Sequence, residues 1–446
     1  MSRNNSGSFL KININSFLKS HITSISPHFF LFTLILFLLS CAPAKRFSDE
    51  EEKEEKIEKV EKLEKEEMTN PDFSSAEIRV LLKGLVPSES LAIESSVYLY
   101  DKESKIALIK SGNTINCYDN YGKIGLTING ENFDGEKFFL IPAGSDDIVK
   151  INGKRYRSKI QISSSGNSID IINVVNLEDY VKGVLAKEMP LGKNEENMEA
   201  LKALAVCVRT YAAQKMKDGK IYFDLYADTR DQVYGGVDAE SPLSNKAAEE
   251  TKNLILKYNG SQSIIFFHST CGGQTESSQN VFTNESIPYL ISIKDGSEPY
   301  CKISPRFEWT ETYSKEIIIS RLKSYSLLDN QNYSLEDISI ISRFNSGRVR
   351  ELEIIVVSES GEDKSIILKG NEIRSILRTV DGKNILWSTL FDLTLKSNSV
   401  VLTGKGFGHG VGLCQWGAIA LSRNGWNYED ILNHYFPGTE TGNLND

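Results

Sequence analysis

Residues 177–190 read LEDYVKGVLAKEMP. Leu177, Tyr180, Val181, Val184 and Leu185 recur at i, i+3, i+4, i+7 and i+8, the spacing of an amphipathic helix with one apolar stripe. Glu188 stands eleven residues beyond Leu177, close to three turns of helix, so its carboxyl points the same way as the stripe. Asn176 suits the N-cap, and Pro190 drives Met189 out of the α region and ends the helix there. Burial and the negative end of the helix dipole both favour a neutral carboxyl, the form a general acid needs. Taken alone, the pattern fits equally well a helix-end glutamate that is paired with a lysine or solvated.

Outward from this stretch, 446 residues leave room for two or three domains and a sizeable core. Residues 1–40 carry Arg3, Lys11 and Lys19 but no acid, and include FFLFTLILFLL at 29–39. That run is too short to span a bilayer and suits the h-region of a signal peptide. It closes on Leu38-Leu39-Ser40-Cys41, which resembles the lipobox of bacterial lipoproteins. The expectation is a signal peptide over 1–40, with Cys41 as the lipidated, membrane-anchored N-terminus. An uncleaved anchor or a non-lipidated export signal is the alternative; each puts the body outside the cytoplasm, facing the periplasm or cell wall.

Residues 41–75 are dense in Glu and Lys and bury too little surface to pack, so they read as a flexible tether. A formal net charge of −9 offers no footprint for nucleic-acid phosphates. Beyond Cys41 lie Cys117, Cys207, Cys271, Cys301 and Cys414. An odd number outside the cytoplasm leaves at least one free, intermolecular or ligating.

Residues 76–164 alternate β-formers with turn residues, as in IRVLLKGL, SVYLYD, KFFLIPA and SKIQISS, and predict a β-rich region. A second helix is expected over 198–216. Lys202 and Arg209 lie on one face of it, a spacing that suits either snorkelling to solvent or positioning an acid or a sugar chain. The turn-rich stretch YFDLYADTRDQVYGG follows, and then an apolar run, SIIFFHSTCGGQTES, read as a buried strand delivering His268, Ser269 and Cys271 to a Gly-Gly turn. Residues 308–395 read as an α/β scaffold segment. The last stretch, GKGFGHGVGLCQWGA, sets five glycines within 404–412 around His409, letting backbone approach something closely. His268 and His409 both sit on Gly-rich turns after apolar strands, whereas His434 falls inside an amphipathic helix and reads as structural.

Together LEDYVKGVLAKEMP, ALKALAVCVRTYA, DQVYGG, FFHSTCGGQTE, SGRV at 346–349 and GKGFGHGVGLCQWGA resemble the stage II sporulation protein D and LytB (SpoIID/LytB) family, in order from about 165 to 440. The resemblance implies a mixed α+β protein. Its β-rich N-terminal region would lead into a two-lobed α/β catalytic domain over 165–446 with a central cleft and 308–395 as a subdomain. It also implies a peptidoglycan lytic transglycosylase with Glu188 of the EMP motif as acid/base. A non-catalytic amidase enhancer or glycan-binding protein sharing the fold is the other expectation.

Ordinary glycosidases need two carboxylates, whereas a lytic transglycosylase needs one, because the sugar's own C6 hydroxyl attacks. No obvious second carboxylate stands out, although Asp228, Asp231 and Glu276 are arguable. Carried over from the family, Lys202, Arg209, Gln232, Tyr234, His268, Ser269, Glu276, His409, Gly410 and Gln415 would bind glycan or hold Glu188. Phe407 stands where many relatives have tryptophan. Some relatives bind zinc through cysteine and histidine, which makes His268, Cys271 and Cys301 the candidate ligands here; a Cys271–Cys301 disulfide is the competing expectation. Expected partners are peptidoglycan strands, a cell-wall amidase and, through the N-terminal lipid, a membrane.

Overall fold

A computed structural model describes residues 77–446, apart from 220 and 284. The expected signal segment, the lipidation site Cys41 and the charged tether lie outside the described residues. Among the described residues no helix is long and apolar enough to cross a membrane.

The fold is α+β. Strand Ile169–Asn176 pairs with Glu77–Val86 on one side and Lys159–Ser164 on the other, within a seven-stranded sheet. Ile171 and Val175 turn into the main core, while Ile172 and Val174 lie beneath Phe223 and Tyr226 on the opposite face. With both faces covered, the strand loses the polar–apolar alternation of a half-exposed one and reads as a continuous apolar run. A second, four-stranded antiparallel sheet in the order Ser88–Ala92, Thr114–Asn120, Lys123–Ile128, Glu131–Gly135 contributes Leu91, Ile115, Cys117 and Leu126 to the same core.

The chain leaves Ile169–Asn176 directly into helix Leu177–Glu188, whose first turn is capped by the Asn176 side chain accepting from the Glu178 N–H at 2.9 Å. Its stripe of Leu177, Tyr180, Val181, Val184 and Leu185 is fully buried. Met189 takes an extended backbone, φ −140° and ψ 140°, as the following proline dictates. Helix Met198–Lys217 is surrounded by Leu177–Glu188, Pro242–Glu250, Gln415–Arg423 and Tyr428–Tyr435. That enclosure explains why its small residues, Ala200, Ala203, Ala205, Ala212 and Ala213, are buried around it.

Residues between Tyr313 and Leu402 build a separate core around Ile318, Leu322, Leu352, Ile354, Val356, Leu368, Ile373 and Leu402. Strands Tyr333–Arg343, Val349–Ser358 and Asp363–Lys369 form one antiparallel sheet there, and Glu308–Ser314, Ser399–Lys405 and Phe391–Leu395 another.

One expected element differs. The apolar run through 263–268 is not a continuous strand: only Phe267–His268 pairs, in parallel with Leu413–Cys414. Its backbone instead follows the glycine-rich terminal stretch, with Leu413 N–H donating to Phe266 O and Thr270 exchanging hydrogen bonds with Phe407. This register brings the two histidine turns side by side.

Candidate functional site

Glu188 ends its helix at the rim of the core. Oε1 accepts the backbone N–H of Val233 at 2.7 Å, and Oε2 faces Gln415 Nε2 at 3.5 Å. Burial raises its pKa above the usual carboxylate range, while the Val233 and Gln415 donors pull the other way. Desolvation thus outweighs two hydrogen bonds, and the neutral acid persists to higher pH than in water.

The turn at 228–236 is built to hold the Val233 donor. Asp231 accepts the Tyr211 hydroxyl at 2.6 Å and the Tyr226 N–H at 2.8 Å. Gln232 is almost wholly buried; its Oε1 accepts the Tyr180 hydroxyl at 2.9 Å, and its Nε2 has no partner. Tyr234 stacks on Tyr180 at 5.2 Å and donates to Asn173 Oδ1 at 2.7 Å, so of its two expected roles, binding glycan or holding Glu188, its place in the core next to Val233 suits the second.

His409 receives the Val411 N–H on Nδ1 at 3.0 Å, which leaves Nε2–H to donate to Phe267 O at 2.9 Å. Burial, then the nearby Arg374 cation, push its pKa down to about 3. A neutral imidazole with both nitrogens occupied is a positioning group. His268 lies 5.4 Å from it, ring to ring, with Nδ1 against Val411 O at 3.1 Å and a buried, unpartnered Nε2. Ser269 receives the Trp416 N–H on its carbonyl at 3.1 Å, tying the HSTC turn to the start of helix Gln415–Arg423.

Four expected glycan contacts are scaffold. Arg209 is fully buried, bound to both Glu178 oxygens at 2.8 and 2.7 Å and to Leu254 O at 2.9 Å. Lys202 is clamped between Glu199 and Glu250, each at 2.7 Å. Glu276 is buried and accepts from Ser277 N–H, Asn280 Nδ2 and the Ser346 hydroxyl. Gly410 has φ +89°, and a Cβ there would meet the Arg348 guanidinium carbon at 2.6 Å, so this glycine makes room for a buried arginine. Helical spacing showed that Lys202 and Arg209 share a face, but not that the face is already filled.

The metal expectation also changes. Cys271 and Cys301 converge, with sulfurs 3.4 Å apart, but His268 turns away to Val411. The groups that join them are Cys414 and Asp295, and all four ligand atoms lie within 4.8 Å of one another. Cys414 is 113 positions from Cys301 and stands just before Gln415, in a motif that drew attention for its histidine.

A cavity of about 240 Å³ opens beside Gln232 and His409, walled by Tyr211, Asp231, Phe266, Phe282 and, from the second core, Asn371 and Arg374. Phe266 and Phe282 stack at 4.4 Å, and Phe282 meets the edge of His409 at 4.9 Å. Arg374 donates to Leu386 O, Trp387 O and Asn371 Oδ1, and among the described residues no carboxylate pairs with it. Arg374 and Phe282 carried no sequence signal, since each lies in an otherwise ordinary helix or loop. A wider groove, about 720 Å³ between Gly273, Trp309 and Lys405, has neither His268 nor His409 in its walls, whereas the smaller cavity is lined by His409 and by Gln232, the neighbour of the Val233 that holds Glu188. Phe407 packs edge-on to Trp387 at 5.4 Å with Arg306 over both rings.

Comparison with known proteins adds an independent line. A family model described as Stage II sporulation protein matches residues 165–258, and a domain of unknown function (DUF8618) matches 300–412. The chain is 30% identical over 373 residues to an uncharacterised protein of Brachyspira hyodysenteriae, covering 82% of this chain and 93% of that one. It is 31% identical to the amidase enhancer of Bacillus subtilis, covering 74% of this chain but only 50% of the relative. Against a stage II sporulation protein D of Bacillus amyloliquefaciens the identity is 30%, with 60% of this chain and 74% of the relative covered.

Proposed function

Because the chain belongs to the stage II sporulation protein D (SpoIID/LytB) family, we propose that it acts on the cell wall. In this proposal it is a lytic transglycosylase, cleaving glycan strands between N-acetylmuramic acid and N-acetylglucosamine. Glu188 is the single general acid/base. Its protonated carboxyl gives a proton to the glycosidic oxygen as the bond to the muramic C1 breaks. The resulting carboxylate takes the proton of the C6 hydroxyl while O6 bonds to C1, leaving a 1,6-anhydro end and restoring the acid. Water is neither consumed nor released.

The supporting observation is that burial raises the pKa of Glu188, whose carboxyl meets only the neutral donors Val233 N–H and Gln415 Nε2. Asp231 already accepts on both oxygens, Asp228 is paired with Arg230 at 2.7 Å, and Glu276 is closed in. A chemistry needing one carboxylate fits this set better than one needing two. The cavity agrees with such a ligand: Phe282 offers a stacking face, Gln232 Nε2 a free donor, and Arg374 a cation for the lactyl carboxylate of muramic acid. The chain works outside the cytoplasm, with lipid on Cys41 as anchor and residues 41–75 as tether.

The similarity to an amidase enhancer favours a second possibility, a glycan-binding protein that stimulates a cell-wall amidase without cleaving glycan. Mass spectrometry of purified strands after digestion separates the two. Anhydro products with wild type and none with Glu188→Gln support cleavage. Their absence with both, alongside stimulation of an added amidase, overturns it.

A further inference from the structure

We propose that Cys271, Cys301, Cys414 and Asp295 form a closed structural zinc site, with a donor set that excludes the expected His268. Its existence does not depend on Glu188 being an acid. The three thiols are free and buried, and Asp295 is fully buried as well. They come from three separate segments, around 271, 295–301 and 414, yet their ligand atoms lie within 4.8 Å of one another. Tetrahedral thiolate coordination of zinc sets sulfurs about 3.8 Å apart, and the Cys271–Cys301 sulfur separation of 3.4 Å is close to that.

The surroundings are arranged for thiolates. Cys271 N–H donates to Cys414 Sγ at 3.2 Å, Gly417 N–H to the same sulfur at 3.4 Å, and Gly273 N–H to Cys271 Sγ at 3.4 Å. Asp295 is oriented from behind by the Tyr435 hydroxyl on Oδ1 at 2.7 Å and the Cys301 N–H on Oδ2 at 2.9 Å, the outer-shell support that ligating carboxylates receive. A Cβ at position 417 would lie 1.9 Å from that hydroxyl and 2.8 Å from Asp295 Oδ1, so Gly417 is what lets the pair approach.

Charge points the same way. Three thiolates and a carboxylate cannot share a dry site without cations. Arg348, fully buried and bonded to Cys271 O at 2.6 Å, supplies one positive charge; a divalent ion would supply most of the rest. Soft sulfur donors select zinc over magnesium or calcium. Four protein ligands leave no open position, which makes the site structural and not catalytic. Its consequence reaches Glu188, because Cys414 caps helix Gln415–Arg423 and the next residue is the Gln415 that faces that carboxyl.

The test is metal analysis of the full chain, purified reduced and without chelator, with about one zinc per chain expected. Cobalt exchanged into the wild type should give intense tetrahedral thiolate–cobalt absorption, which reports the thiolates without any substitution. Cys414→Ser and Asp295→Asn should lose zinc, whereas His268→Gln, Cys207→Ser and Glu188→Gln should keep it. A metal-free wild type carrying a Cys271–Cys301 disulfide by mass spectrometry overturns the site. Zinc lost in His268→Gln but retained in Cys414→Ser overturns the donor set. Because Glu188→Gln is scored for metal as well as for products, failure of the zinc site and failure of the cleavage mechanism give different results.

Discussion

The backbone N–H of Val233 donates to Glu188 Oε1 at 2.7 Å, across 45 positions of sequence. This contact fixes the carboxyl at the end of its helix without supplying a compensating charge, so burial remains the larger influence on its proton. Replacing Glu188 by glutamine keeps an acceptor for Val233 and removes the proton. Activity should fall by roughly 10²–10⁴-fold, the usual worth of a general acid, with glycan binding retained by sedimentation with purified strands.

The same environment sets a pH dependence. Glu188 carries a raised pKa in the folded chain, so the folded state holds its proton where the unfolded state has lost it. Stability contributed by this group is present below the unfolded value and declines as pH rises through the folded one. Glu188→Gln should therefore be at least as stable as wild type at neutral pH, in a comparison of urea midpoints. Loss of folding in that variant would show that the carboxylate serves the structure.

Gln415 Nε2, 3.5 Å from Oε2, favours the charged form of Glu188. Gln415→Leu should move the alkaline limb of kcat/KM to higher pH, whereas a purely structural role would lower activity without shifting the limb.

Arg209 should behave as a strut. Its bidentate pair with Glu178 is buried, and removing one partner of such a pair typically costs about 3–5 kcal/mol. Arg209→Met should lower the urea midpoint accordingly, while the protein that remains folded binds glycan strands with unchanged affinity.

Arg374 should behave as a ligand contact. Arg374→Gln should raise KM by about tenfold or more, the worth of a hydrogen bond to a charged group, with a smaller change in kcat. Strands whose lactyl carboxylates have been amidated should bind wild type as weakly as untreated strands bind the variant.

Much of the local structure was legible in the sequence because it depends on near neighbours. The apolar stripe, the Asn176 cap and the Pro190 stop define helix Leu177–Glu188, and the glycine spacing around His409 marks a close approach of backbone. The apolar run before His268 was less legible, since side-chain pattern does not reveal that its partner is a glycine-rich strand joined over only two residues.

What the sequence determined by itself, then, is that an acid ends a half-buried helix and that two histidine turns stand on apolar segments. Tertiary structure alone decided what meets them. Val233 and Gln415 reach Glu188 from 45 and 227 positions away, and the parallel register of His268 with Cys414 carries a third thiol to Cys271 and Cys301. The same convergence turns Arg209 and Glu276 inward, to partners that helix and strand periodicity cannot specify. Periodicity fixes which way a side chain faces, while the company it keeps depends on the register of segments brought together only by folding.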